Sequence, residues 1–235
     1  MSTFKGRLYD ICNEVASEFQ NWNFVSGAFK NESLKHTTLN INPSFSFVHN
    51  STPLTPAVII NHKRSMAIFK KLNGYVLSTS IVQFQNIAQL LKHMPDELRL
   101  GARIVDDKSL WMTQAKPSEQ VEKRWIDITE ARSLLRSVML DGIEIIDKLY
   151  DLSSEQNFLR NLPPKYNTRH INIPYDEFEM QKGVMVCIVH ALFGDFDFVE
   201  KYRSDDYHTI FPKRTKELDN VVAALPDLKK LYARV

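Results

Sequence analysis

The period of the apolar residues changes once along this chain, and that change limits the fold more than any single residue does. Between about Leu34 and Trp125 apolar side chains alternate in pairs such as Leu39/Ile41 and Phe45/Phe47, as in a strand with one buried face. From about Thr129 almost to the C-terminus they recur three and four apart, as on the buried stripe of a helix. The pattern predicts an α+β fold with an N-terminal helix, an antiparallel sheet of about four to six strands, and a C-terminal layer of about five helices. Residues 1–126 should hold the helix and sheet, and residues 127–235 the helical part, packed together as one compact unit.

Phe4, Leu8, Ile11, Cys12, Val15, Phe19 and Trp22 lie three or four apart, so Thr3 to Phe19 should form an amphipathic helix, with Asn21–Asn31 as the turn out of it. Leu34–Ile41, Ser44–Val48, Ala57–Asn61 and Tyr75–Val82 are rich in β-branched and aromatic residues, and prolines or Asn73-Gly74 separate them. They read as antiparallel strands, with Asn73-Gly74 as a tight turn. A helix over Phe84–His93, a strand over Glu97–Val105 and a pairing segment over Ser109–Gln114 complete the first half. Asp127 or Thr129 should cap a helix whose stripe runs Ala131, Leu134, Leu135, Val138, Gly142, Ile145, Ile146 and Leu149. Gly142 on that stripe marks a close approach by a neighbouring element. Ser153-Ser154-Glu155-Gln156 reads as a capping box. A central helix over Tyr175–Phe193 should end at Gly194, with Asp195 opening the next one, and a last helix over Lys213–Ala224 should stop at Pro226.

Bulk composition excludes several classes. A chain of 235 residues with 43% hydrophobic content can bury a sizeable core. Its formal charge of +2, from 30 basic and 28 acidic side chains, is far from the basic field of a nucleic-acid binder. Met1–Asp10 lacks the apolar run of a secretory signal. Gly183–Phe193 is too short to span a bilayer. A cytoplasmic protein with no membrane partner is the expectation.

Seven dispersed histidines show no HxxxH, HExxH or HxH spacing, so the chain offers no local metal site. His190, inside the most apolar helix, reads as a hydrogen-bonded core residue. Cys187, three residues earlier, is mid-helix and lacks the helix N-terminus that activates catalytic thiols. Asp195 and Asp197 read as helix-capping acids. Lys63, Arg64, Lys70 and Lys71 could contact an acidic partner but read first as a solvated strand end or edge. Arg99 and Arg103 share one face of a strand, with Trp111 and Trp125 on neighbouring segments, and Arg and Trp are enriched at binding hot spots. Arg99, Arg103, Trp111 and Arg64 are therefore the expected partner-binding residues, with no catalytic, cofactor-binding or metal-binding residue assigned.

The run Arg99-Leu100-Gly101-Ala102-Arg103, then Trp111, then Trp125-Ile126 leading into a helix that ends Ile145-Ile146-Asp147-Lys148-Leu149, resembles small bacterial α+β proteins of unknown function. Some of those are encoded beside polymorphic or contact-dependent toxins and are regarded as immunity proteins. The resemblance covers about Met1–Asn161 and implies a toxin domain as partner, with no catalytic residues to carry over. The expectation is a cytoplasmic, non-catalytic interaction protein without cofactor. The alternatives are a hydrolase or transferase with a dispersed site around His62, Arg103 or His190, and a nucleic-acid accessory protein.

Overall fold

The computed structural model describes residues 3–54, 56–76, 82–84, 125–160, 177–203 and 215–232. The chain forms two compact units, each assembled from more than one stretch. The first comprises Met1–Ser33, Thr38–Ile59 and Gln83–Leu149, and the second Leu34–Thr37, Ile60–Val82 and Tyr150–Val235. The architecture is α+β, with an N-terminal helix, an antiparallel sheet and several later helices.

In the first unit, α1 (Phe4–Ser17) starts where the Thr3 hydroxyl accepts the Gly6 N–H at 3.1 Å. It buries Phe4, Leu8, Cys12, Val15 and Ala16, a stripe at helical spacing. The segment after it is not a plain turn. It folds into a hairpin of β1 (Trp22–Val25) and β2 (Ala28–Asn31), paired Trp22↔Asn31 through Val25↔Ala28. Ser26 and Gly27 both take positive φ, 54° and 82°, the backbone of a two-residue turn whose twist matches the strands. β2 pairs antiparallel with β3 (Thr37–Asn42), in the register Phe29↔Ile41. The sheet order is β1-β2-β3-β5-β6, with β5 at Ala57–His62 and β6 at Val82–Phe84; β4 (Thr52–Pro53) pairs separately with β7 (Trp125–Ile126).

The expected strand Ser44–Val48 is absent. Ser44 takes φ 57°, its N–H bonds the Asn42 side chain at 2.8 Å, and the segment holds a lone bridge, Val48↔Ser51. That local side-chain bond outcompetes a ladder.

α3 (Ala131–Leu149) follows a cap in which Asp127 Oδ1 accepts from the Thr129 N–H at 2.7 Å and its hydroxyl at 2.5 Å. The expected stripe is buried from Ala131 to Ile146, and α3 packs on α1. Gly142 meets Ile41 of β3: a Cβ there would lie 2.6 Å from Ile41 Cδ1.

In the second unit, residues 63–73 form α2 (Lys63–Asn73), correcting the reading of Lys63, Arg64, Lys70 and Lys71 as a strand edge. His62 caps it, its Nδ1 accepting the Ser65 N–H at 3.2 Å. Asn73-Gly74 is not a hairpin turn. Gly74 sits at φ 77° as the left-handed end of α2, and its N–H bonds Lys70 O at 2.9 Å. α4 (Glu155–Arg160) begins at Ser154, whose hydroxyl accepts the Asn157 N–H at 3.0 Å. α5 (Glu177–Leu192) is buried on every side from Val184 to Val189. It contacts α2, α4, α6 (Phe196–Arg203), α7 (Thr215–Ala223) and α8 (Leu225–Tyr232), as its all-round apolarity predicts. Gly194 and Asp195 close α5 by bonding Ala191 O at 3.2 Å and His190 O at 3.0 Å, a Schellman arrangement. Pro226 does not end structure. It lies in the first turn of α8, where its missing N–H costs nothing.

Candidate functional site

Of the four expected contact residues, Arg64 is half-buried on α2, and Arg99, Arg103 and Trp111 lie outside the described residues. The readings of Phe84–His93, Glu97–Val105 and Ser109–Gln114 fall there too, apart from Phe84 at the end of β6.

The surface feature that the structure builds most fully lies in the first unit, at β1. The two-residue turn makes Val25↔Ala28 a pair that exchanges both backbone bonds. Alternation along an antiparallel ladder makes Asn23↔Lys30 the next bonded pair and leaves Phe24↔Phe29 without ladder bonds. The N–H and C=O of Phe24 therefore point away from β2, to the outer edge. Among the described residues no strand lies beyond β1. A cavity of about 440 Å³ lies at this edge, lined by all four β1 residues, by Asn13, Ala16 and Ser17 of α1, by Lys30 of β2 and by Glu32.

Beside the edge lies an aromatic cluster. Tyr9 contacts Phe24, Phe45 and Phe47 with ring centroids 5.1, 6.5 and 6.0 Å apart, and Phe47 also meets Phe4 at 6.3 Å. Lys5 Nζ stands 5.4 Å over Tyr9 and 5.5 Å over Phe47, within cation–π range. Tyr9, Phe24, Phe45 and Phe47 are half-buried, while Val25 and Val48 are 49% and 46% exposed. The Phe45/Phe47 alternation thus puts two rings on one cluster without a strand.

Two carboxylates at α1 are held by α3. Arg132 Nη1 and Nη2 reach Glu14 and Glu18 at 3.3 and 3.0 Å, and Arg136 Nε reaches Glu18 at 2.9 Å. These guanidiniums hold the Glu18 carboxyl below its usual range. Glu32 accepts the Thr38 hydroxyl at 3.3 Å. Lys30 forms no ion pair among the described residues.

In the second unit His62 and His190 are both held by hydrogen bonds. His62 Nδ1 takes the Ser65 N–H, so Nε2 carries the proton, 3.5 Å from Glu155 Oε1. That oxygen already accepts the His36 N–H at 3.0 Å and the Thr37 hydroxyl at 2.6 Å. A carboxylate nearby favours imidazolium. Burial is the larger effect here: the residue is 1% exposed, with His36 and Arg64 adding repulsion, and its pKa is pushed down to about 4. His190 is a hydrogen-bonded core residue as expected, with Nδ1 2.9 Å from Asp195 Oδ2 and its ring stacked on Phe198 at 3.6 Å. Asp195 Oδ1 caps α6 by accepting the Phe198 N–H at 3.2 Å. The pair borders a cavity of about 350 Å³ with Arg160, Phe193 and Gly194. Both thiols are buried, which pushes Cys12 up to about 12 and Cys187 well above the usual thiol value, so neither is a ready nucleophile.

Among the described residues no group of three His, Cys, Asp or Glu could hold a metal ion, and no helix is long and apolar enough to cross a membrane. No family model, curated protein or solved structure matches the chain.

Proposed function

We propose that this chain is a non-catalytic protein-interaction protein whose partner is a toxin domain that it neutralises in a bacterial cytoplasm. The observation that carries the protein-binding reading is the β1 edge, open among the described residues, beside the Tyr9 aromatic cluster, with Val25 exposed next to Phe24 in the chain and Val48 exposed next to Phe47. Half-buried aromatics ringed by accessible apolar groups are what binding hot spots are built from. The toxin as partner, and the bacterial cytoplasm, rest on the sequence resemblance alone. Arg99, Arg103, Trp111 and Arg64 stay in this reading as individual contact residues expected from the sequence.

A photo-cross-linking residue placed at Val25 or Val48, with exposed Lys216 as control, tests it in lysate of the source organism. One protein captured from the first two positions and not the third is the expected result. With that protein purified, Val25→Asp should weaken calorimetric affinity at least tenfold. Equal capture from all three positions, or none, overturns the reading.

A hydrolase or transferase is the second reading, favoured by His190 oriented by Asp195 at the wall of a cavity that also holds Arg160. Turnover of aryl esters or aryl phosphates that is lost in His190→Gln, at an unchanged melting temperature, would favour it.

A further inference from the structure

We infer that β1 docks an extended acidic segment of a partner protein, which adds a strand beside Phe24 and sets a carboxylate against Lys30. The inference rests on the protein-binding reading above and names its mode.

Three observations carry it. Among the described residues the edge is open in the right phase: Phe24 directs both backbone groups outward, so one partner residue opposite it can exchange both bonds. The Trp22 N–H is already used, bonding Phe19 O at 3.2 Å, which makes Phe24 the centre of the edge. The edge Trp22-Asn23-Phe24-Val25 also lacks charged side chains, proline and bulges, which ordinarily blunt exposed edges. The third observation is the cavity of about 440 Å³ at that edge, walled by α1, which leaves room for alternate side chains of an added strand.

Charge and register select the occupant. Opposite Phe24, a partner side chain points to the Phe24 face and meets aromatic rings, so it is apolar. Its neighbours point to the other face, the face of Asn23 and Lys30. From two strands away, roughly 9–10 Å, an acidic side chain there meets the extended Lys30 amine. Glu14 and Glu18 do not compete for Lys30, because Arg132 and Arg136 hold them. Glu32, which lines the same cavity, accepts the Thr38 hydroxyl and makes no ion pair with Lys30. A second copy of this chain fits less well. Two β1 strands crossing at Phe24 would bring Asn23 and Val25 to Lys30, leaving the amine without an anion.

The probe is a random dodecapeptide library displayed on phage, panned against the full chain, with the best peptide then titrated into isotope-labelled protein. Enriched peptides should carry a β-branched or aromatic residue next to Asp or Glu. The bound peptide should slow hydrogen exchange at the Phe24 amide at least tenfold. Phe24→Ala loses the ring but keeps the outward N–H, whereas Phe24→Pro also removes that N–H and should bind at least tenfold more weakly than Phe24→Ala. Lys30→Gln should weaken the acidic peptide and leave its amide analogue unchanged.

The proposal is overturned if no peptide is enriched over an unrelated protein, or if a bound peptide leaves Phe24 exchange unchanged. Equal binding by the two Phe24 variants overturns it as well. The exchange measurement uses the parent chain and decides the matter even if Phe24→Pro fails to fold. A dimer in sedimentation that only Phe24→Pro abolishes would assign the edge to a second copy instead. Partner capture at Val25 with unchanged Phe24 exchange would leave protein binding standing and remove strand addition.

Discussion

A Cβ on Gly142 would lie 2.6 Å from Cδ1, 2.8 Å from Cγ1 and 3.1 Å from Cγ2 of Ile41, which is itself wholly buried. Gly142→Leu should therefore lower the urea midpoint, by about 1–3 kcal/mol for overpacking, despite the helix-propensity gain of about 1 kcal/mol. Adding Ile41→Ala should recover part of that loss, and a raised midpoint in the single variant would contradict the contact. The stripe alone identifies Gly142 as a close approach, because one missing side chain on an apolar face has few other meanings. His62 is harder to read. Its imidazole titrates at about 6.5 when unfolded and about 4 when folded, so between those values the unfolded chain binds the extra proton. Stability should fall as pH drops from about 6.5 to about 4, by at most about 1.4 kcal/mol per pH unit from this group. His62→Asn keeps an acceptor for the Ser65 N–H and cannot titrate, so it should flatten that slope in urea midpoints at pH 7, 6 and 5. An unchanged slope would assign the effect elsewhere.

At the scale of elements, two of the segments that the sequence pattern misreads are ones whose boundary residues lack the usual chemistry. α2 begins at a histidine cap in place of Ser, Thr, Asp or Asn, and its Gly74 stop forms, with Asn73, a dipeptide that equally signals a hairpin. The β1–β2 hairpin hides because its strands are four residues long and Trp22 continues the i, i+3 series of α1. Ser26-Gly27 is the available signal, and with it the candidate site would have been partly readable. Ser26 at φ 54° is a position that Asn occupies at lower cost. Ser26→Asn should raise the urea midpoint, by about 0.5 kcal/mol, and Gly27→Val should lower it, since φ 82° strains a β-branched residue. The α5–α6 corner, in contrast, is fully written in Gly194-Asp195. Asp195→Ala should cost about 1–2 kcal/mol of thermal stability through the lost cap and the contact with His190, and Asp195→Asn less, because Asn still caps.

For the molecule as a whole, the change of apolar period from 2 to 3.6 is enough to give the α+β class, because it reports burial directly. Where an edge opens is not in that pattern: the outward N–H of Phe24 depends on a register that pairs residues on two strands. Global charge bears on partners at the same scale. Lys63, Arg64, Lys70 and Lys71 recur at i and i+7 along α2, so the helix gathers four cations on one side. That stripe sits in a chain of 30 basic and 28 acidic side chains, with a formal charge of +2. Four phosphate contacts would give a salt slope no steeper than about −4 in log K against log[salt]. A fluorescent 20-base-pair duplex should therefore bind detectably only at low salt, and anisotropy should show no binding near 150 mM. Tight binding with a steeper slope would mean that further basic residues join α2 in one continuous field, and would bring nucleic acid forward as the partner. Loss of the low-salt binding in the fourfold Gln variant of α2, with Arg132 and Arg136 untouched, would locate it on this helix.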